Sequence, residues 1–158
     1  MRKIAIIGTR TPNGYQLDDC QKFIDTLHTS DIVASGCAYG VDAFALKYAN
    51  SVGLTTIGYV PWKDYNMDVQ EYCTKVVVFN SDIYTEACES VNQFHPAPNK
   101  LSQGAFKLHA RNYLIIDTAN FVLAYPGPTG GGTMQGIKVA QSKGIPVAIN
   151  PHLVKDIS

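Results

Sequence analysis

Short runs of β-branched residues alternate with longer amphipathic stretches along the first part of the chain. Residues 3–7, 31–34 and 54–60 predict strands, and the segments between them carry apolar residues at helical spacing. The apolar positions of the two predicted helices are Leu17, Cys20, Phe23, Ile24 and Leu27 within residues 15–29, then Val41, Phe44, Ala45, Tyr48 and Ala49. This alternation is typical of βαβ units, which place parallel strands in one sheet.

The second half of the chain returns to this pattern after an interruption. Residues 75–79 predict a strand, Ser81-Asp82 would cap a helix carrying Ile83, Ala87 and Val91, and the two prolines in residues 95–99 break the helix. A helix from residue 101 or 103 to 117, a strand at 120–125, a helix at 133–143 and a strand at 145–149 follow. We therefore expect a single Rossmann-like α/β domain over residues 1–158, with a mostly parallel sheet flanked by helices.

The chain carries balanced charge. Its 13 basic and 13 acidic residues leave no net charge. Non-specific binding to a phosphate backbone usually requires a broad basic face, and nothing in the composition indicates one. Nucleic acid is therefore not expected as a partner.

Cysteine spacing and apolar runs bear on the cellular compartment. Cys20, Cys37, Cys73 and Cys88 lie far apart, without a CxxC pair or a histidine at metal-ligand spacing, which predicts reduced thiols and no metal site. No apolar run reaches the roughly 18 residues of a membrane helix, and the apolar stretch after Lys3 is too short for a signal peptide. We expect a cytoplasmic protein without a membrane partner.

The first candidate binding segment, Gly8-Thr9-Arg10, follows the first predicted strand. Ligands of open α/β sheets bind beyond the carboxyl ends of the strands. Glycine permits close backbone approach, the threonine hydroxyl suits a phosphate oxygen, and a guanidinium can form a bidentate contact. A plain surface turn is the alternative interpretation.

The second candidate segment follows the second strand and opens a helix. Its amides and the helix N-terminus would form an anion site, and Asp42 in the first turn either favours the helix dipole or accepts a hydrogen bond from a ribose or base. The candidate residues are Ser35, Gly36, Cys37, Tyr39, Gly40 and Asp42.

The third candidate segment, residues 126–133, gives the strongest local signal. Three successive glycines between a strand and a helix expose amides to a ligand without obstruction by side chains. The segment lacks both the Gly-Lys-Ser/Thr ending of a P-loop and the GxGxxG spacing of a dinucleotide site. This pattern indicates phosphate or nucleotide binding rather than ATP hydrolysis or hydride transfer.

Four segments in order resemble the SLOG superfamily, which unites the Smf/DNA-processing protein A group with the LONELY GUY, or "lysine decarboxylase-like", group. Residues 4–10 are similar to the opening strand and GSR-like loop of the Smf group, and residues 35–45 to its SGxAxGID segment. Residues 111–116, beginning with Arg111-Asn112, resemble its RNRII segment, and residues 126–133 stand in for the PGGxGT loop of the LONELY GUY group. The resemblance spans nearly the whole chain and implies a homodimer or a higher homo-oligomer.

The resemblance also exposes a departure. Arg111 falls where LONELY GUY enzymes carry a catalytic arginine, but Gly136 falls where they carry the glutamate that cleaves an N-glycosidic bond. Asp42, Glu86 or Glu89 would have to replace that carboxylate. For DNA binding in the Smf manner, residues Lys100, Lys107, His109 and Arg111 form only a modest basic cluster.

Our leading hypothesis from the sequence is a protein that binds a nucleotide or an ADP-ribose-like signalling nucleotide, as a sensor or by sequestration, and requires no cofactor. One alternative is a nucleoside-monophosphate N-glycosidase, or phosphoribohydrolase, whose catalytic candidates are Arg111, Asp42, Glu86 and Glu89. A second alternative is a single-stranded DNA-binding recombination factor. The predicted ligand-binding residues are Gly8, Thr9, Arg10, Ser35, Gly36, Cys37, Tyr39, Gly40, Asp42, Arg111, Asn112, Pro126, Gly127, Thr129, Gly130, Gly131, Gly132 and Thr133.

Overall fold

Six parallel strands form one sheet in the computed structural model, which describes residues 2–128 and 131–151. The strands are β1 Lys3–Gly8, β2 Ile32–Ser35, β3 Thr55–Val60, β4 Lys75–Val78, β5 Phe121–Tyr125 and β6 Val147–Ile149. Their order is β4-β3-β2-β1-β5-β6, and every neighbouring pair is parallel. The predicted α/β domain with a mostly parallel sheet is confirmed.

Helices cover both faces of this sheet. They are α1 Gly14–Asp25, α2 Val41–Ser51, α3 Met67–Gln70, α4 Thr85–Phe94, α5 Gln103–Asp117 and α6 Gly131–Ser142, with a 3-10 turn at Pro98–Lys100. None of the helices in the described part of the chain is long and apolar enough to cross a membrane.

Two cores form because successive side chains of a strand point to opposite faces. Ala5 and Ile7 of β1 pack with α4, α5 and α6 on one face. Ile4 and Ile6, from the same strand, pack with α1 and α2 on the other. A strand buried on both faces has few polar positions, which explains the continuous apolar run at residues 4–7.

The predicted element boundaries need correction in the middle of the chain. The helix predicted to follow Ser81-Asp82 begins only at Thr85. The amide of Asp82 donates to the Asn80 side chain at 2.8 Å, so these residues form a turn, and Ile83 is 70% exposed rather than on a buried helix face. Helix α3 was not predicted, because four residues are too few to show a period. Helix α1 ends at Asp25, four residues before the predicted end.

The order of the strands creates a crevice at one end of the sheet. From β1 the chain builds β2, β3 and β4 outward on one side, then crosses to the other side of β1 for β5 and β6. Connections that leave β1 and β5 therefore diverge, and the space between them is where ligands of such folds bind.

At the opposite end of the sheet, an ion pair fixes the start of β1, and its carboxylate makes the stability of the fold depend on pH. The Arg2 guanidinium lies 2.8 Å from the Asp31 carboxylate, which also accepts the His28 amide at 3.0 Å. The hydrogen bond from Arg2, above other causes, lowers the pKa of Asp31 to about 2. Because this folded-state pKa lies below the unfolded value of about 3.9, the pair contributes stability above pH 4 that is lost as the pH falls toward 2.

The free energy of unfolding should therefore fall less on acidification in Asp31→Asn than in the wild type. Urea unfolding of both proteins at pH 5, 3 and 2 checks this, because the other carboxylates act equally in both. Parallel stability curves for the two proteins would contradict the assignment.

Candidate functional site

A cavity of about 510 Å³ opens in this crevice, at the carboxyl ends of β1 and β5. Its volume is typical of small-molecule sites, which range from about 300 to 1,000 Å³. The lining comes from the loop after β1, the turn before α2, one face of α5, the loop after β5 and the first turns of α6. The lining residues are Ile7, Gly8, Thr9, Arg10, Thr11, Ala38, Asp42, Leu108, His109, Arg111, Asn112, Ile115, Gly127, Gly131, Gly132, Thr133 and Gly136.

The loop after β1 is held by its backbone. The Thr9 amide donates to the Tyr125 carbonyl at 2.8 Å, and the Thr9 carbonyl accepts the Val41 amide at 3.1 Å. These bonds tie the loop to β5 on one side and to the start of α2 on the other. Arg10 follows directly and is exposed at the rim of the cavity.

Arg111 is buried in the cavity wall, with 4% of its surface exposed. One terminal nitrogen donates to the carbonyls of Gly36 and Tyr59, the latter at 3.1 Å, and its Nε donates to Asn112 at 3.0 Å. The guanidinium carbon lies 5.5 Å from the centre of the Tyr65 ring. Much of this guanidinium therefore joins α5 to the carboxyl ends of β2 and β3.

Asp42 is buried on the other side of the same turn. Its Oδ2 accepts the amides of Gly36 at 3.2 Å and Ala38 at 3.4 Å. Burial raises the pKa of this carboxyl, although the positive charge of Arg111 opposes the shift. A Cβ on Gly36 would lie 2.9 Å from the Asp42 carboxylate and 3.0 Å from the Arg111 guanidinium, so glycine allows both charged groups to approach one peptide.

The N-terminus of α6 forms the side of the cavity opposite α5. Gly131 has a φ of 63°, a left-handed conformation that L side chains rarely adopt, and Gly132 and Thr133 follow in the first turn. Amides at a helix N-terminus point outward without intrahelical partners and attract anions. This side of the cavity can therefore receive a phosphate group.

Gly136, where LONELY GUY enzymes carry a glutamate, has a packing role here. It is buried, and a Cβ at this position would lie 2.8 Å from Cδ1 of Ile7. Glycine thus lets α6 approach β1 closely. A longer side chain at this position would have to displace Ile7.

Most predicted residues of the first and third segments lie around the cavity. Gly8, Thr9 and Arg10 line it, as do Asp42, Arg111 and Asn112. The third segment contributes Gly127, Gly131, Gly132 and Thr133. The predicted positions Thr129 and Gly130 lie outside the described residues.

Other predicted residues have different surroundings. Ser35 is buried and donates to the Ile6 carbonyl at 2.5 Å, Cys37 packs against Cys73, and Tyr39 points outward and donates to Asp68 at 3.1 Å. Gly40 lies against the backbone of Thr9 and Arg10, Gly36 lies between Asp42 and Arg111, and the Pro126 carbonyl accepts from Gln16 at 3.1 Å. The structure does not place these six among the residues that line the cavity.

The two candidate glutamates on α4 lie outside the lining of the cavity. Glu86 accepts a hydrogen bond from the Tyr113 hydroxyl at 3.0 Å at a separate, shallow depression, and Glu89 is exposed. Asp42 is the one candidate carboxylate that faces the cavity. Within the described residues, no group of three His, Cys, Asp or Glu side chains is placed to hold a metal ion.

The sequence prediction includes Arg111 and Asn112 of α5 but omits Leu108, His109 and Ile115, which line the cavity from the same helix. Leu108, Asn112 and Ile115 recur at helical spacing on the face that carries Arg111, and His109 lies beside them. This spacing is the signal that would have identified the wall. His109 is half-buried, and desolvation, with a smaller effect from His95, lowers its pKa and so disfavours a positive charge on this histidine.

The hydrogen bonds of Arg111 should contribute to the free energy of unfolding. Arg111→Ala removes charge-assisted hydrogen bonds and leaves two carbonyls and the Asp42 carboxyl without this partner. We expect the free energy of unfolding to fall by about 3 kcal/mol. Arg10→Ala is the matched control, and it should change stability by less than about 0.5 kcal/mol because Arg10 is exposed. Urea unfolding of both variants measures this, and equal midpoints would show that Arg111 does not stabilise the wall.

Solved structures resemble this chain over nearly its full length. DNA processing protein A from Streptococcus pneumoniae aligns with a TM-score of 0.70 and 20% identity, covering 99% of this chain and 56% of its own. TM1055 aligns with a TM-score of 0.61 and 17% identity, covering 93% of this chain and 72% of its own. No curated protein matches the chain. At these identities the similarity shows the fold alone.

A third structure bears on nucleic acid. DNA processing protein A from Helicobacter pylori, described for its mode of single-stranded DNA binding, aligns with a TM-score of 0.63 and 24% identity. It covers 94% of this chain and 64% of its own, so our chain spans less than two thirds of the length of either DNA processing protein A.

The expectation that nucleic acid is not a partner, which was drawn from the balanced charge of the chain, is therefore wrong. A relative with this fold binds single-stranded DNA, and net charge does not exclude such binding. Net charge is a sum over the whole protein surface, whereas a DNA strand would contact only one part of it. Backbone amides can add positive potential there, and a count of charged residues does not include them.

The family comparison covers the whole chain. The model of the family described as DNA recombination-mediator protein A matches residues 1–158. Together with the structural similarities, this match confirms the predicted place in the SLOG superfamily. The chain belongs to the DNA recombination-mediator protein A family.

Proposed function

We propose that this domain binds single-stranded DNA and holds one phosphate-bearing nucleotide of the strand in the cavity. The observation that carries the proposal is the position of the cavity at the carboxyl ends of β1 and β5, in a chain that belongs to this family. The mode of single-stranded DNA binding described for the H. pylori relative supports DNA as the ligand.

The first turn of α6 supplies the phosphate site in this proposal. Gly131 and Gly132 line the cavity at the helix N-terminus, where their amides can bind an anion. Thr9, whose hydroxyl oxygen accepts the Thr11 amide at 3.2 Å, lines the same cavity, and Arg10 at the rim can reach a phosphate oxygen with its guanidinium. Asp42 repels a phosphate little, because its carboxylate faces the Gly36 and Ala38 amides and its charge is opposed by the nearby Arg111 guanidinium.

This mode of binding depends on backbone dipoles more than on side-chain cations. Arg111 and Asn112 already bond to protein atoms, and burial disfavours the charged form of His109, so Arg10 is the exposed cation among the described lining residues. Few counterions are then released on binding. For a single strand on which the protein neutralises one or two phosphates, log affinity falls with log salt at a slope of about −0.7 to −1.4.

A free nucleotide or an ADP-ribose-like ligand is the second candidate for the same cavity. Its support is the volume, which suits a small molecule bound on several sides. Mass spectrometry of the small molecules released by denaturing the purified protein separates the two candidates. A co-purified nucleotide that a short oligonucleotide fails to displace favours the free ligand.

Hydrolysis of a nucleoside monophosphate has weaker support. Gly136 is packed against Ile7, and neither Glu86 nor Glu89 lines the cavity. Asp42 alone remains as an acid/base, and its Oδ2 is held by two amides. We expect no multiple-turnover release of free base from a panel of nucleoside monophosphates, as followed by time-resolved chromatography; base release that Asp42→Asn abolishes would establish an enzyme.

Gly131 provides a charge test of the phosphate site. Asn and Asp have nearly the same shape and are the side chains that best tolerate a left-handed backbone. Gly131→Asp adds a negative charge at the helix N-terminus and should weaken binding of a fluorescent oligothymidine about tenfold or more. Gly131→Asn should stay within about threefold of the wild type, which is roughly 0.7 kcal/mol. Fluorescence anisotropy measures both, and equal affinities of the two variants would exclude a phosphate at this position.

A further inference from the structure

Two thiols lie together behind the cavity wall. The Sγ atoms of Cys37 and Cys73 are 3.8 Å apart, although the residues are 36 positions apart in the chain. Cys37 is fully buried in the turn after β2, and Cys73 is half-buried just before β4. The first thiol is therefore shielded, and the second is within reach of a small solute.

Gly58 accounts for the convergence of the sulfurs. It lies inside β3, where glycine weakens a strand and often marks a close approach. A Cβ on Gly58 would lie 2.6 Å from both Sγ atoms. The missing side chain thus leaves one shared space for two thiols, which any other residue would separate.

The backbone at Cys37 connects this pair to the cavity. Cys37 has a φ of 59°, which is rare for a residue with a side chain, and its carbonyl accepts from the Asn66 side chain at 3.0 Å. The preceding Gly36 bonds to Arg111 and Asp42, and the following Ala38 lines the cavity. A displacement of Cys37 therefore moves residues of the cavity wall.

We propose that Cys37 and Cys73 form a redox modification site, which a hydroperoxide converts to a disulfide. The Cys73 thiolate attacks one peroxide oxygen, the O–O bond breaks, and Cys73 becomes a sulfenic acid while the other oxygen leaves as water or an alcohol. The Cys37 sulfur then attacks the Cys73 sulfur and expels the sulfenic oxygen as water. Two thiols lose two electrons and two protons, and the peroxide is reduced.

The electrostatics of the pair support this division of roles. A hydrogen bond from the Cys37 thiol lowers the pKa of Cys73, which favours the attacking thiolate. The same hydrogen bond, together with burial, raises the pKa of Cys37. Cys73 is thus the residue that meets the peroxide, and Cys37 is the residue that resolves the sulfenic acid.

Closing the disulfide requires movement. The sulfurs must approach from 3.8 Å to about 2.05 Å. We infer that part of this shift occurs in the turn that carries Gly36 and Ala38. Oxidation then lowers the affinity for single-stranded DNA at least about fivefold, a consequence that rests on the proposed function.

Peptide mapping tests the modification independently of DNA. Lysine residues separate the four cysteines, so trypsin leaves Cys20, Cys37, Cys73 and Cys88 on four different peptides. After treatment with a small excess of hydrogen peroxide, the thiol titre of the denatured protein should fall from four to two, and mass spectrometry without reduction should show the peptides of Cys37 and Cys73 joined. Dithiothreitol should restore the four thiols.

Two variants make the test specific. Cys73→Ser should abolish the cross-link and keep Cys37 reduced, whereas Cys88→Ser, which changes another half-buried thiol, should leave the cross-link intact. A wild-type protein whose Cys88 is oxidised while Cys37 and Cys73 remain unlinked would overturn the proposal. A confirmed cross-link with unchanged DNA affinity would overturn only the coupling between the thiols and the cavity. Absence of DNA binding in both the reduced and the oxidised protein would count against the proposed function instead.

Discussion

The Arg111 guanidinium donates to the carbonyls of Gly36 and Tyr59, and the geometry of the cavity depends on these bonds. They fix α5 against the carboxyl ends of β2 and β3. The backbone hydrogen bonds of the sheet do not include this helix and so cannot hold it there. Removing a buried cation from water is costly, so such a group persists only with hydrogen bonds and an opposite charge nearby. Asp42 supplies that charge across the Gly36 peptide, which itself must lack a side chain. The wall of the cavity is therefore one interdependent unit of glycine, aspartate and arginine.

This unit separates the residues that build the cavity from those free to meet a ligand. Arg111 and Asp42 face the cavity but mainly bond to its walls. Arg10 and the first turn of α6 present a guanidinium and backbone amides to the open space, and Thr9, whose hydroxyl oxygen accepts the Thr11 amide, lines it with them. A binding site of this kind can recognise phosphate in a chain with no net charge, because peptide dipoles provide much of the attraction.

The sheet and the glycine loops could be predicted from the sequence because they follow local rules. A buried parallel strand reads as an apolar run, and a glycine segment between a strand and a helix indicates an approach to a ligand. Residues 8–10 and 131–133, which these rules single out, line the cavity. The start of α4 was misplaced, because a side-chain turn at Asn80 competed with the helix cap predicted at Ser81-Asp82.

Other parts of the site depend on tertiary contacts that the sequence does not display. Residues 36–40 form a loop at the expected end of β2, but Ser35, the last residue of that strand, donates to the Ile6 carbonyl, while Cys37 contacts Cys73 and Tyr39 donates to Asp68. The α5 wall with Leu108 and Ile115 becomes part of the site only when the helix crosses the strand ends. Charge was misleading in a similar way, because a total over the chain does not describe the potential at one edge.

In the proposed mode of binding, the ligand lies between the loop after β1 and the N-terminus of α6. Titration of ¹⁵N-labelled protein with a short single-stranded oligonucleotide, followed by amide chemical shifts, tests this position of the ligand. We expect the largest changes at Thr9, Arg10, Gly131 and Gly132, with little change at Lys75 and its neighbours at the opposite end of the sheet. Changes concentrated at the amino ends of the strands, with the cavity amides unmoved, would contradict the account.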